Sequence, residues 1–434
     1  MWMVQGFILY EEDQCPEDVG DEYFMDFLWR SFFHEVEKDE LGNISKFKIY
    51  DLMHDLAIQV TGSDCTPINS KVKVIKEKIC HVSFEDTLYS SSKIPISLCK
   101  ARRIRTFLLP CQLEYNTMKS NDSTYSDITA SFKFIRLLDL HNMEIKTIPS
   151  SIKKLKHLRY LDLPMNEDIE MLPNSIVKLY NLQTLKFSKC KNLKELPKDI
   201  NKLINLRFLE IDQCSGLTQM PNGLGQLTNL QTLLRFVMSK GRIDLVPSSS
   251  GGLKELAKLN ELRDNLSIEN LKHKKDAALE FKDANLKEKQ CLDSLDLNWV
   301  YEAIDETSAG YDDMSLEALQ PHINLKVLRL ERYRGVILPH WLALLTNLVQ
   351  FKLNSCNKCQ YLPPLDHLPS LKTIDLYFLL YLEHISDSER DNSDYLFYPS
   401  LEKLKIWEYP NLKGWWRGRR DSLPSFPRLS FLEI

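Results

Sequence analysis

Two short stretches and one scattered set of residues in this 434-residue chain are of types that do chemistry. The first stretch is Met53-His54-Asp55-Leu56. A histidine beside a helix start offers a ring N–H, and a carboxylate in a helix's first turn is favoured by the free N–H groups there. The same four residues also fit a plainer role, with Met53 and Leu56 in a core and His54 and Asp55 capping a helix. The second stretch is Cys356-Asn357-Lys358-Cys359. A zinc site needs two further ligands at suitable spacing, and a redox site needs a βαβ setting. Neither is visible, so these cysteines read as structural. The scattered set is charged and aromatic: Arg329, Glu331, Tyr333, Lys352, Asp375, Tyr377, Phe378, Lys405, Trp407, Tyr409, Trp415, Trp416 and Arg417. Exposed aromatics and arginines are what protein interfaces are anchored by. No Ser/His/Asp or Cys/His constellation and no G-x-S-x-G elbow is present, so catalysis is not expected.

The composition narrows the classes further. Net charge is −4 with 27% charged residues, which gives no global attraction to nucleic acid or to an anionic membrane. No apolar run approaches the roughly 18 residues of a membrane span. The apolar opening Met1 to Tyr10 lacks a basic flank and runs into Glu11-Glu12-Asp13, so a signal peptide is not expected. Ten cysteines without a regular framework fit a reducing, cytoplasmic setting, with nuclear or membrane-peripheral positions compatible. No metal is implied.

These residues are positioned by a repeat. Leu158-x-x-Leu161-x-Leu163, Leu182-x-x-Leu185-x-Phe187, Leu206-x-x-Leu209-x-Ile211 and Leu230-x-x-Leu233 step by 24, as do Pro149, Pro173, Pro197 and Pro221. This is a leucine-rich repeat, with a period inside the usual 20–29 residues. Each unit supplies a short strand and a return segment, and only stacked neighbours bury the leucines. Asn166, Cys190, Cys214 and Cys356 occupy an inward position after the strand, where a small donor bonds the neighbouring turn. The pattern resumes at Leu325, Leu348, Leu371, Leu401 and Leu429, and Ser386–Asp394 reads as a solvated insertion.

The expected fold is an α/β leucine-rich repeat solenoid, a horseshoe, preceded by a partial, mainly helical winged-helix domain. Its divisions are 1–62 for the partial winged-helix domain, 63–130 for a linker and irregular first repeats, and 131–240 for regular repeats. An irregular region with a helix covers 241–320, and further, incomplete repeats cover 321–434. Within the first division, Val19, Tyr23, Phe24, Phe27 and Leu28 predict a helix capped by Asp18 or Asp21, Lys46–Tyr50 a strand, and Asp51–Val60 a helix ending at Thr61-Gly62. In the irregular region, Leu266–Leu271 predicts a strand, 274–289 a helix and 301–315 an exposed acidic loop.

Met1-Trp2-Met3-Val4-Gln5-Gly6-Phe7-Ile8, Glu17 to Phe24, Arg30-Ser31-Phe32-Phe33, Met53-His54-Asp55, Leu266 to Leu271 and Lys413-Gly414-Trp415-Trp416-Arg417 occur in an order resembling plant nucleotide-binding leucine-rich-repeat disease-resistance proteins of the coiled-coil class. That resemblance implies a switch that holds ADP at rest and ATP when active, with His54, beside Asp55, contacting the nucleotide phosphate. It implies a nucleotide-binding domain as partner in cis. It also implies repeats that restrain the switch and recognise a pathogen effector or a guarded host protein. The phosphate-binding G-x-x-x-x-G-K-[ST] loop is missing, since no Gly-Lys pair occurs anywhere. No nucleotide cofactor is therefore expected for this chain alone, only for a parent carrying that loop, which would be at most a slow ATPase. Recognition is expected on the inner strand face. The columns there run Asp139, Asp162, Lys186, Glu210 and His141, Pro164, Ser188, Asp212 early, then Arg329, Lys352, Asp375, Lys405 and Glu331, Asn354, Tyr377, Trp407 late. A free-standing repeat scaffold without a nucleotide role is the alternative.

Overall fold

The computed structural model describes residues 1–11, 14–39, 41–68, 78–84, 96–109, 128–239, 251–273, 277–300, 309–386, 397–416 and 426–434. They divide into two compact units, residues 1–197 with 211–216, and residues 198–210 with 217–434.

The first unit opens with the single helical turn α1 (Trp2–Gln5) and the helix α2 (Pro16–Trp29). Pro16 starts α2 because a first-turn residue has no intrahelical use for its N–H. Cys15 is the N-cap, so the expected caps Asp18 and Asp21 lie inside the helix; Glu17 and Asp18 instead place carboxylates in its first turn. Strands β1 (Phe33–Lys38) and β2 (Ile44–Ile49) pair antiparallel. Only the second was expected, because Phe33–Lys38 alternates weakly. Phe24 of α2 packs on Phe33 and Phe47 of the hairpin, at centroid separations of 5.2 and 5.0 Å. Helix α3 (Asp51–Thr61) ends on Gly62, whose φ of 53° favours glycine.

The repeats of this unit follow as parallel strands β3 (Cys65–Ile68), β4 (His81–Phe84), β5 (Thr106–Leu108), β6 (Leu137–Asp139), β7 (Tyr160–Asp162) and β8 (Thr184–Lys186), with the short helix α4 (Ile96–Cys99) between β4 and β5. Pro149 and Pro173, with φ of −68° and −66°, each lead into a 3-10 turn, Ser150–Lys154 and Asn174–Lys178. Proline's fixed φ and missing N–H suit that place. The strand leucines Leu158, Leu161, Leu182 and Leu185 are fully buried.

The inward position after each strand behaves as its chemistry requires. Asn166 Nδ2 donates to the carbonyls of Leu140 and Leu163 at 2.9 and 2.8 Å, and its Oδ1 accepts from the amides of Met143 and Ile145 at 3.0 Å. Cys190 and Cys214 each donate a thiol hydrogen to the carbonyl one repeat back, Leu163 and Phe187. The preceding residues Met165, Lys189 and Gln213 have φ of 61°, 64° and 55°, which turns the chain inward.

The second unit contains β9 (Phe208–Glu210) beside β10 (Thr232–Leu233). Its larger parallel sheet runs through β11 (Arg235–Val237), β12 (Asp264–Leu271), β13 (Leu292–Trp299), β14 (Val327–Glu331), β15 (Gln350–Asn354), β16 (Thr373–Tyr377), β18 (Lys403–Trp407) and β20 (Phe431–Glu433). Strands β17 (His384–Ser386) and β19 (Gly414–Trp416) form a separate parallel pair. The helix expected over 274–289 is shorter. It is α5 (Ala277–Lys282), and Asn285, at φ 49°, separates it from a 3-10 turn at Leu286–Glu288. The loop expected over 301–315 holds a helix instead, α6 (Ala309–Ala318), which buries Leu316; residues 301–308 lie outside the described residues. Of the insertion Ser386–Asp394, only Ser386 is described. Among the described residues no helix is long and apolar enough to cross a membrane.

Candidate recognition and switch surfaces

Helix α3 carries Met53-His54-Asp55-Leu56. Tyr50 is the N-cap, so Asp51 is the first-turn carboxylate and Asp55 lies one turn further on. His54 is the residue whose amide makes the first helical bond, 3.0 Å to the Tyr50 carbonyl. No side chain caps this N-terminus. The imidazole is 65% exposed, with Nδ1 3.8 Å from the Asp55 carboxylate. Leu52, Leu56, Ile58 and Val60 on the same helix are between 48% and 78% exposed, and Phe47, Ile49 and Tyr50 beside it are exposed too. The core role for Leu56 is therefore excluded within these residues. An apolar surface of this kind marks an interface.

A second surface joins the N-terminal segment to the first repeats. Leu137, Tyr160 and Thr106 occupy outward strand positions yet are buried, because α1 lies over them. Val4 packs between Leu137 and Tyr160. Gln5 Nε2 donates to Thr106 Oγ1 at 2.8 Å. Arg136 and Arg159 donate to the Gln5 and Val4 carbonyls at 2.8 and 3.3 Å, satisfying groups that a helix end leaves open. Sequence reasoning missed this junction. Its signal was present, since leucine and tyrosine on a face expected to be wet imply a cover.

The third surface is the outward face of the large sheet. Register places Asp296, Arg329, Lys352, Asp375 and Lys405 on five adjacent strands. Arg329 bonds Asp296 at 3.0 Å and Ser294 at 3.1 Å. Burial pushes the Asp296 carboxyl up, and Arg329 opposes it. Lys352 lies over the Tyr377 ring at 5.1 Å, and Lys405 over Phe431 at 5.5 Å. Burial, reinforced by Asp375, raises the Tyr377 phenol. Asp375 is 8% exposed, with one carboxylate oxygen unpaired. In the next row Glu331 is half-buried beside Arg332, at 2.6 Å. Trp407 is 49% exposed and lines, with Leu380, Ile406, Glu408, Tyr409, Pro410 and Ile434, a groove of about 600 Å³. Phe378 is exposed at φ 54°.

Three expected members of this face differ. Tyr333 is fully buried: it takes the inward position after β14, packs edge-on against Trp299 at 5.3 Å, and places its hydroxyl 2.9 Å from Asp313 and 2.7 Å from the Ile337 carbonyl. Its hydroxyl there ties the end of β14 to Asp313 of α6. Trp415 lies on β19, outside the large sheet, and packs on Phe426 at 5.1 Å. Trp416 ends the same strand, and Arg417 lies outside the described residues. The Cys356 and Cys359 thiols are unbridged and fully buried, burial pushing Cys356 up to about 12 and Cys359 higher still. Among the described residues no group of three potential metal ligands occurs.

Comparison with known proteins fits this anatomy. Residues 1–57 match the family model for the winged-helix domain of disease resistance proteins, and residues 253–379 match that for R13L1/DRL21 leucine-rich repeats. The disease resistance protein RGA1 of Solanum bulbocastanum is 38% identical over 418 residues, covering 95% of this chain and 37% of the relative. RGA2 of the same species is 35% identical over 430 residues, covering 95% and 39%. A disease resistance protein of Arabidopsis thaliana is 34% identical over 432 residues, covering 96% and 29%. The chain thus spans well under half the length of these relatives. Among solved structures, a leucine-rich repeat protein of Leptospira interrogans shares the fold, with a TM-score of 0.51 at 20% identity, covering 85% of this chain and 88% of that one. From the winged-helix match at its start to the repeat match that follows, the chain is similar to plant disease resistance proteins along almost its whole length.

Proposed function

We propose that this chain is the regulatory and recognition part of an intracellular plant immune receptor. In this reading α3 and the β1–β2 hairpin pack against a nucleotide-binding domain in cis, and His54 donates a ring N–H to the nucleotide phosphate. The nucleotide is ADP at rest and ATP when active. The outward faces of the repeats recognise a pathogen effector or a guarded host protein and restrain the switch, without catalysis by this chain.

The observation that carries the reading is the open face of α3. The helix that bears His54 exposes four aliphatic side chains to water, which a complete winged-helix domain with its partner would cover. The open, uncapped N-terminus of α3 favours an anion. One imidazole and one helix end make a single phosphate contact. They do not make a nucleotide site, because the Gly-Lys loop that cradles the other phosphates is missing from this sequence.

Titration calorimetry tests both halves of this reading. The chain alone is expected to bind ADP no tighter than non-specifically, and micromolar binding would contradict that. Fused behind a family nucleotide-binding domain, it is expected to form a complex that retains ADP. His54→Ala should weaken that retention roughly tenfold or more, the scale of a lost hydrogen bond to a charged group. Unchanged affinity in the fusion would remove His54 from the phosphate.

A further inference from the structure

The geometry points to a peripheral membrane contact: one flank of the first unit's repeats binds an anionic phospholipid surface. This inference is independent of any nucleotide or effector.

The flank is built by strand register. Thr106, Leu137, Tyr160 and Thr184 are successive partners across β5, β6, β7 and β8. Neighbouring strands lie about 4.8 Å apart, so residues at the same offset from these partners form a row. Four positions before them stand Arg102, Lys133, Lys156 and Tyr180, all exposed. Three positions before them stand Arg103, Phe134 and His157, also exposed. The Phe134 ring stacks on the His157 imidazole with centroids 5.6 Å apart. Lys156 Nζ lies 5.8 Å from the centre of the Tyr180 ring and donates to the Lys178 carbonyl at 3.4 Å. The 3-10 turns Ser150–Lys154 and Asn174–Lys178 end beside these rows and add the exposed Lys153, Lys154 and Lys178.

Charge on this flank has one sign. Residues 100–105, 132–136, 149–158 and 173–182 contain no Asp or Glu. Elsewhere on the same unit lysines are matched, Lys191 to Glu167 at 2.6 Å and Lys194 to Glu170 at 2.5 Å. Unmatched cations attract an anionic surface within a Debye length of about 8–10 Å, which screens the chain's more distant acids. Each lysine held near such a surface strengthens partitioning about fivefold.

The rings select the kind of polyanion. Phe134 and Tyr180 are 54% and 55% exposed, and aromatic side chains beside lysines settle at the level of lipid headgroups. Nucleic-acid bases would need open ring faces along a groove. Here His157 already occupies one face of Phe134, and Lys156 lies over Tyr180. Protein interfaces are depleted in lysine, which supplies most of the cations of this flank.

Co-sedimentation of the intact chain with vesicles tests the assignment. Binding is expected to phosphatidylcholine vesicles in which about one lipid in four is phosphatidylserine, and not to pure phosphatidylcholine vesicles. It should weaken tenfold or more as salt rises from about 0.1 M to about 0.5 M. Lys153→Glu with Lys154→Glu should weaken it by roughly tenfold or more. Lys191→Glu with Lys194→Glu makes the same change of net charge on the same unit and should leave binding unchanged. Phe134→Ser with Tyr180→Ser should weaken binding about threefold or more while keeping its salt dependence. The inference is overturned by no binding to the anionic vesicles, by equal binding to the neutral ones, or by no greater loss in the first lysine pair than in the second. Retention of single-stranded polyuridylate through Lys153 and Lys154, with vesicles ignored, would assign the flank to nucleic acid and overturn it too.

Discussion

Lys289 shows what a buried charge does in a repeat stack. Its side chain is 1% exposed, and the ammonium donates to the carbonyls of Leu256 and Leu259 at 2.7 and 3.2 Å, one repeat back. Burial lowers its pKa to about 8, with Glu288 opposing. The folded state therefore releases this proton before the unfolded chain does, and stability contributed by Lys289 rises with pH between about 8 and 10.5. We predict that thermal unfolding of the wild type shows an alkaline gain over this window, of the order of 1–3 kcal/mol, that Lys289→Met lacks. Parallel curves for the two proteins would contradict this. Glu255 is the complementary case, a buried carboxylate accepting from the amides of Gly223 and Gly225 at 3.1 and 2.8 Å. Neither charge was legible in the sequence, where Lys289 and Glu255 look like solvated members of a helix and a turn. The roles of Asn166, Cys190, Cys214 and Cys356 were legible, because a strict period fixes which side chain points inward. Tyr333 obeys the same rule: it occupies the same inward position and is buried there, and only its aromatic type suggested a surface anchor.

At the scale of elements, α6 is the largest departure from the sequence reading. Its acidic, weakly periodic residues suggested a loop. The clasp that holds it is tertiary: Asp313 bonds the Tyr333 hydroxyl at 2.9 Å and lies 3.3 Å from the Ile337 amide. Gly335 lies against this clasp, where a Cβ would come within 2.0 Å of the Tyr333 oxygen and 2.1 Å of Asp313. Gly335→Ala is therefore expected to destabilise the second unit by about 1–3 kcal/mol, as overpacking does. Denaturant unfolding would show it as a lower midpoint. A midpoint unchanged from wild type would mean that the clasp yields freely. Helix α3 was predicted to within a residue, since a polar start, an apolar face and a terminal glycine are local signals. The exposure of Leu52, Leu56, Ile58 and Val60 on its apolar face is set by tertiary packing and is not a local signal.

At the scale of the whole molecule, the winged-helix part and the repeats present two different kinds of surface. Helix α3 offers an apolar face with one histidine at its open end. The large sheet offers alternating charge, with Arg329 tied to Asp296, lysines resting on rings, and Trp407 beside an open groove. In the proposed function the first meets the cis partner and the second the recognised one, since aromatic and arginine anchors among matched charges favour specificity. We propose that α3 is one side of a nucleotide switch. Sequencing the full-length transcript across its 5′ end tests it most directly. A reading frame that continues upstream into a G-x-x-x-x-G-K-[ST] loop is the expected result. An in-frame stop just upstream of Met1 would contradict it, leaving a repeat protein whose exposed α3 needs another partner and whose His54 has no phosphate to meet.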